Sequence, residues 1–363
     1  MNNLQNLFLL PWITAAIVAF LATPFVIKFA TKLGIVDDPK RNKHPKVIHT
    51  YPVPRGGGIP IFLALLIAGL IFLPIDKHAI GILIGAGILV VMGTLDDRLN
   101  LNPYLRLALG FLAAAAPIAA GIGISFISNP LGGIINLSQP QISFTFLGAT
   151  HSIWVFSDIF ALLWITFLMN MVNMGAKGVD GQLSGVVVIA ALTIAFLSLR
   201  FSADITQWPV IILAAITAGA YLGFLPWHIF PQKIMPGYGG STMAGYLLAV
   251  LSILSTTKVG ALMVVLGIPL IDTGYTIIRR LISGKSPVWG DRGHLHHRLL
   301  DAGLTKRQVA YFYWGVTAFL GLLALNLNTA TKLYTMIGVA LGTGGLIIWL
   351  AYRPKPPKKQ ETF

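Results

Sequence analysis

The chain has 363 residues, of which 55% are hydrophobic and only 10% are charged, with a formal net charge of +14. A soluble domain carries about 25% charged residues, and a single apolar core stops growing beyond roughly 250–300 residues. The composition therefore excludes one soluble domain and favours an integral membrane protein of many helices. Because the chain has no cysteine, it also excludes disulfides, thiol chemistry and cysteine-bound zinc.

Apolar runs of about 20 residues, the length that crosses a bilayer, recur along the chain. They predict an all-α polytopic membrane protein with about eleven transmembrane helices in one domain, residues 1–352, followed by a basic tail, residues 353–363. The first run lacks a basic flank and a cleavage site, so it is expected to be a retained span. The predicted spans are residues 7–30, 57–75, 79–95, 104–124, 152–172, 183–201, 207–225, 241–256, 259–279, 308–326 and 332–352.

The basic residues indicate the orientation, because Lys and Arg concentrate in cytoplasmic loops. With the N-terminus outside and the C-terminus in the cytoplasm, only Lys77, Arg200, Lys258 and Lys332 fall on the outer side. The uncharged segment 125–150 alternates apolar and polar residues, which predicts a small external β-hairpin. The positive charge is therefore explained by topology first and by anion attraction second, and nucleic-acid binding is not expected.

Acidic residues are predicted at the inner ends of several helices. Asp96 and Asp97 close an apolar helix, where neighbouring carboxylates repel each other and the helix dipole disfavours anions. The pair therefore favours a bound cation such as Mg²⁺, or a role as a base, over a solvated helix end. Asp272 lies near the inner end of its helix, whereas Asp158, toward the outer half of a span, is interpreted as a helix-end residue.

Two glycine-rich stretches are candidates for close backbone contact with a ligand. The first, residues 169–185, interrupts a span, although an ordinary turn between helices explains its glycines equally well. Its polar side chains are Asn170, Asn173, Lys177 and Asp180. The second, residues 230–245, leads into a helix whose N-terminus could take an anion, with Ser241 or Thr242 as the capping residue.

A histidine cluster occupies the longest inner loop between spans, residues 280–307. Its polar members are Arg292, His294, His296, His297 and Arg298. Zinc needs three or four converging ligands, and the two arginines would repel a dication. Guanidinium groups and imidazoles beside a helix start suit phosphate instead, so phosphate is favoured over metal.

The basic loop at residues 37–60 adds His49 and Arg55, which could reach phosphate. The simpler interpretation of this loop is positive-inside charge followed by a helix start. Carboxylates, glycines and Arg/His groups on one membrane face form a combination that suits phosphoryl transfer. In that chemistry, positioning and charge neutralisation supply most of the catalysis.

These motifs resemble those of the polyprenyl-phosphate N-acetylhexosamine-1-phosphate transferases, the membrane enzymes that begin bacterial peptidoglycan, O-antigen and teichoic-acid assembly. The resemblance extends from about residue 31 to residue 310. It rests on HTYPVPRGGG (49–58), GTLDDRLNLNPYLRL (93–107), NMVNMGAKGVDG (170–181) and DRGHLHHRLLDAGLTKRQ (291–308). The HLHHRL form is more similar to the UDP-GlcNAc branch than to the muramyl-pentapeptide branch.

The resemblance implies transfer of GlcNAc-1-phosphate, or that of a related N-acetylhexosamine, from a UDP-sugar to undecaprenyl phosphate, with release of UMP. It implies a site facing the cytoplasm in the bacterial plasma membrane and Mg²⁺ as cofactor, and it leaves a homodimer open. By motif match, Asp96, Asp97 and Asp180 are the implied metal ligands and, with His296, the implied catalytic residues. The implied substrate-binding residues are His49, Arg55, Asn170, Asn173, Lys177, Arg292, His294, His297 and Arg298.

Two stretches depart from the family pattern. Where the family reads Asn-x-x-Asn-x-x-Asp-Gly-x-Asp-Gly, this chain has one extra residue and carries Lys177 at the first aspartate. Tyr238 likewise replaces an aspartate that the family uses for Mg²⁺. The hypothesis is that Mg²⁺ binding is weakened or that Mg²⁺ is replaced, and that the Lys177 ammonium supplies part of the positive charge of the ion.

Two other classes of protein remain as alternatives. One is a catalytically silent relative that binds a nucleotide-sugar or a lipid-linked substrate, because two family aspartates are replaced. The other is a transporter, which would place polar residues and broken helices near the bilayer midplane. The polar residues here are predicted at inner helix ends instead, which favours the enzyme.

Overall fold

The computed structural model describes residues 4–40, 47–129, 132–146, 149–255, 258–286 and 292–353. Most of the predicted basic tail, residues 354–363, lies outside these ranges. The described chain is mostly helical. Its helices are α1 (Leu10–Lys32), α2 (Gly58–Phe72), α3 (Lys77–Leu99), α4 (Pro103–Ala119), α5 (Val155–Met171), α6 (Gln182–Leu199), α7 (Trp208–His228), α8 (Gly237–Leu254), α9 (Lys258–Val265), α10 (Gly267–Ile282), α11 (Leu295–Asp301), α12 (Lys306–Ala324) and α13 (Thr329–Tyr352).

Membrane-spanning helices dominate this arrangement. Within the described residues, seven helices are long and apolar enough to cross a bilayer, or eight if α9 and α10 form one span bent by 84°. Helices α2 and α4 are apolar but shorter. The prediction of a polytopic membrane protein is confirmed, whereas eleven spans and their orientation stay predictions.

Short antiparallel β-hairpins occupy the loop between α4 and α5. Strand β3 (Phe126–Ser128) pairs with β4 (Ile134–Asn136), and β5 (Gln141–Phe146) pairs with β6 (Ala149–Trp154). The predicted β structure is therefore present as two hairpins rather than one. The break falls at Pro140, which lacks the N–H needed to continue a ladder. Earlier in the chain, β1 (Val36–Asp37) pairs with β2 (Val53–Pro54).

Helix α8 lies at the centre of the bundle. In its most apolar 18-residue stretch 94% of the residues are buried, compared with 11% in α13. Small residues allow this burial, because they let helix backbones approach closely. Gly93 of α3 lies directly against the backbone of Gly239, and Gly58 of α2 lies against Gly240. Asp97 follows Gly93 by about one helical turn. The contact between α3 and α8 therefore places this carboxylate at the start of α8.

Candidate active site

The first residue of α8, Gly237, lies beside both the Asp97 carboxylate and the Lys177 ammonium. Oδ1 of Asp97 accepts a hydrogen bond from the backbone N–H of Tyr238 at 3.1 Å. Gly237 has a φ of 67°, and a Cβ there would lie 2.8 Å from Cγ of Asp97. Glycine alone fits both the backbone angle and the contact. Nζ of Lys177 donates to the carbonyl of this same Gly237 at 2.7 Å.

The neighbouring carboxylate, Asp96, has different partners. Its Oδ1 accepts from the backbone N–H of Leu101 at 3.0 Å, and its Oδ2 lies 3.4 Å from Nη1 of Arg106. The same guanidinium lies 5.0 Å from the centre of the Tyr238 ring. Although Asp96 and Asp97 are adjacent in sequence and both are buried, each is therefore balanced by a different cation.

The extra residue of the Asn170–Asp180 loop coincides with a π-helical turn, Val172–Ala176, that continues α5. A π-turn inserts a residue without ending the helix, and such turns are frequent at functional sites. Asn173 lies in this turn, and its Oδ1 accepts a hydrogen bond from the Ser241 hydroxyl at 2.6 Å. The Asn170 amide instead donates to the carbonyl four residues earlier in its own helix, at 2.8 Å.

A buried aspartate of α10 holds the histidine cluster. Asp272 has no exposed surface, and its Oδ2 lies 2.8 Å from Nδ1 of His294. Its Oδ1 accepts from the backbone N–H of Leu295 at 2.7 Å, at the start of α11. The ring of His296 stacks on that of His294 with a centroid distance of 5.5 Å and lies 4.3 Å from that of His297. One carboxylate therefore holds His294 and the start of α11, the helix that carries the other two histidines.

His296 connects this cluster to Lys177. Its ring packs against Gly178, where a Cβ would overlap the imidazole and lie 2.5 Å from Cδ2. Burial lowers the pKa of His296 well below its ordinary value, and the charges of the neighbouring histidines and Arg292 add to this effect. The ring is therefore neutral near pH 7. Its Nδ1 has no hydrogen-bond partner among the described residues, so this atom is available for a hydrogen bond.

Asp180 belongs to a separate group of polar side chains that includes Gln232 and Tyr51. Its Oδ1 accepts from the side chain of Gln232 at 3.1 Å, and the carbonyl of Gln232 accepts from the Tyr51 hydroxyl at 3.2 Å. Burial raises the pKa of Asp180, and the charge of Lys306 and the hydrogen bond from the backbone N–H of Gln232 oppose that rise. His49 is also buried.

The arginines predicted to bind substrate have protein partners. Nη2 of Arg55 donates to Asp37 at 2.6 Å. Arg292 forms an ion pair with Asp301 at 3.0 Å, in which its side chain is 44% exposed. Nε of Arg298 donates to the carbonyl of Gly293 at 3.1 Å. These contacts orient the three guanidinium groups, and their roles toward substrate stay predictions.

A magnesium ion needs oxygen ligands, usually one or two carboxylates together with waters and substrate phosphates. Among the residues that the structure describes, no three His, Asp or Glu side chains are grouped so that they could hold a metal ion. The Lys177 ammonium also acts electrostatically on Asp97, and a cation there opposes a dication. This arrangement does not fit a magnesium ion held by three carboxylates. The roles of Asp96, Asp97 and Asp180 as metal ligands stay predictions.

Sequence reasoning missed two residues that organise the site. Asp272 did carry a signal, since an acid within an apolar helix is costly and is a functional candidate by default. Gln232 carried none, because nothing in the sequence indicates that its neutral side chain contacts Asp180.

Comparison with known proteins places the chain among membrane transferases. The family model described as glycosyl transferase family 4 matches residues 79–256. A probable undecaprenyl-phosphate N-acetylglucosaminyl 1-phosphate transferase from Bacillus subtilis is 29% identical over 329 residues, covering 88% of this chain and 85% of its own length. A decaprenyl-phosphate N-acetylglucosaminephosphotransferase from Mycobacterium tuberculosis is 28% identical over 367 residues, covering 92% and 86%. An undecaprenyl-phosphate alpha-N-acetylglucosaminyl 1-phosphate transferase from Escherichia coli is 30% identical over 296 residues, covering 78% and 74%.

Proposed function

Because the chain belongs to glycosyl transferase family 4, we propose that it transfers a sugar-1-phosphate from a UDP-sugar to a polyprenyl phosphate. The proposed donor is UDP-GlcNAc or a related UDP-N-acetylhexosamine, the proposed acceptor is undecaprenyl phosphate, and UMP is the proposed product. The relatives from three species are named as N-acetylglucosamine-phosphate transferases acting on polyprenyl phosphates. A catalytically silent relative is not favoured, since each of these proteins is named as a transferase.

The proposed reaction exchanges one phosphorus–oxygen bond for another. An oxygen of the acceptor phosphate forms a bond to the sugar-bearing phosphorus of the donor. The bond from that phosphorus to the bridging oxygen breaks, and its electron pair leaves with UMP. Such a reaction depends on positioning and on stabilising negative charge.

The observation that carries the proposal is the meeting of two separate motifs at Gly237, with the histidine cluster packed beside one of them. Asp97 and Lys177 both contact this residue, and Gly178, next to Lys177, packs on His296. In this arrangement Asp97 positions the acceptor phosphate or takes its proton, and Lys177 contacts the donor diphosphate. The neutral His296 accepts a hydrogen bond from the sugar or from a protonated phosphate.

The proposed site faces the cytoplasm of a bacterial plasma membrane. Support comes from the site-bearing helix ends, which adjoin the Lys- and Arg-rich loops that the positive-inside rule places in the cytoplasm. Eleven spans with the N-terminus outside are part of this proposal. A homodimer stays a prediction to be checked by the mass of the detergent-solubilised protein.

The test is release of UMP from UDP-GlcNAc by the purified full chain, with and without undecaprenyl phosphate. Asp97→Asn should lower turnover by about 10²–10⁴-fold, the range for loss of a general base. Asp158→Asn is the matched control, because Asp158 lies in the first turn of α5, where it accepts a bond from the N–H of Trp154. Binding of UDP-GlcNAc without acceptor-dependent release of UMP would contradict the proposal.

A further inference from the structure

Each carboxylate of the acidic pair has a cation supplied by the protein itself. Arg106 lies 3.4 Å from Asp96, while Lys177 donates to the carbonyl of Gly237, the residue packed against Asp97, and its charge acts on that carboxylate. Two adjacent carboxylates at a helix C-terminus require such compensation, because they repel each other and the helix dipole is unfavourable. In this chain the compensation comes from side chains.

Three features fix the position of the Lys177 ammonium: the turn before it, the packed glycine after it and its own hydrogen bond. The π-turn Val172–Ala176 ends immediately before it, and Gly178 immediately after it packs against His296. The ammonium donates to the carbonyl of Gly237 at 2.7 Å, and the side chain is half-buried. A charge held in this way needs little reorganisation during a reaction, which is the condition for effective electrostatic catalysis.

The acids around this ammonium do not form a metal site with three protein ligands. No three-ligand group of His, Asp or Glu exists in the described part of the chain. At the start of α8, the side chain beside Arg106 is the aromatic ring of Tyr238. The positive charge needed near a diphosphate is therefore present as Lys177, and the two carboxylates there, Asp96 and Asp97, already lie beside the protein's own cations.

We propose that the ε-ammonium of Lys177 stabilises the charge on the leaving diphosphate oxygen, so that this chain transfers sugar-1-phosphate without a divalent metal ion. The inference rests on the proposed function and identifies the residue that stabilises negative charge in the proposed reaction. An ammonium is a compact point charge with three rotatable donors, and it binds phosphate oxygens as such. As the bridging oxygen leaves with UMP, Lys177 hydrogen-bonds that oxygen. It transfers no proton and needs no further reactant.

The test compares the unmodified chain with Lys177→Met, which removes the charge and retains most of the aliphatic stem. Lys32→Met is the matched control, because Lys32 is an exposed lysine in the last turn of α1. Release of UMP is measured with excess chelator and with excess Mg²⁺. Binding of Mn²⁺ to the substrate-free protein is measured separately by electron paramagnetic resonance.

The unmodified chain and Lys32→Met should retain full kcat/KM in chelator and bind no stoichiometric Mn²⁺. Lys177→Met should lose about 10²–10³-fold in kcat, the usual loss for one charge-stabilising donor, and Mg²⁺ should restore part of it. A purely structural role would give a loss that Mg²⁺ does not change, which would overturn the inference. Collapse of activity in chelator with near-normal Lys177→Met would also overturn it.

Failure of the proposed function gives a different result. In that case the unmodified chain releases no UMP with or without Mg²⁺, while the Mn²⁺ measurement still reports on the site. One Mn²⁺ bound per chain and lost in Asp97→Asn would overturn the inference about Lys177. No bound Mn²⁺ in the unmodified chain, with binding gained in Lys177→Asp, would support it.

Discussion

Replacement of Gly178 by alanine tests whether the position of His296 matters for transfer. A Cβ at residue 178 would lie 2.5 Å from Cδ2 of the His296 ring and would overlap its other atoms more closely. Restoring an ordinary contact of 3.4 Å requires the ring to move by about 1 Å. Misplacement of a catalytic group by about 1 Å can reduce the rate by about 10²-fold, which corresponds to about 2.7 kcal/mol of transition-state free energy.

The assay is kcat/KM for UMP release from UDP-GlcNAc at saturating undecaprenyl phosphate. The control is Gly338→Ala in α13, where an added Cβ meets nothing within 4 Å, and its activity should be unchanged. Thermal unfolding in detergent checks that both variants are folded. A folded Gly178→Ala with normal kcat/KM would refute the role of His296 and the reasoning from this contact.

Two further predictions concern Asp272, which contacts the histidine cluster, and His296, which belongs to it. Asp272→Ala leaves the buried N–H of Leu295 without its acceptor and leaves His294 with only the Thr276 hydroxyl at 3.4 Å, so it should lower the free energy of unfolding by about 1–3 kcal/mol. Asp272→Asn, which retains an acceptor oxygen, should lower it less in thermal unfolding. Because burial lowers the pKa of His296, the unfolded chain binds a proton there that the folded chain does not. Stability should therefore be complete above the unfolded pKa of about 6.5 and fall as the pH drops below it. This fall should be smaller in His296→Gln, and equal pH dependence in both proteins would contradict the assignment.

Much of the site was predictable because membrane sequences separate polar from apolar residues strongly. A carboxylate pair such as Asp96 and Asp97 at the end of an apolar run is expensive in lipid, so its presence indicates function before any contact is known. The departures at Lys177 and Tyr238 were likewise visible in the sequence. Their effect on the charges of the site was not visible, because the cation beside Asp96 is Arg106, which belongs to the next helix.

The sequence alone determined the class of protein, most of the long apolar helices and the motifs, because hydrophobic periodicity and length are local properties that a bilayer imposes on each segment separately. Only the tertiary structure decided which motifs meet. The contact of Gly93 with Gly239, the shared residue Gly237 and the packing of His296 on Gly178 depend on how closely helix backbones approach. That distance results from side chains distant in sequence acting together, so no single segment contains it.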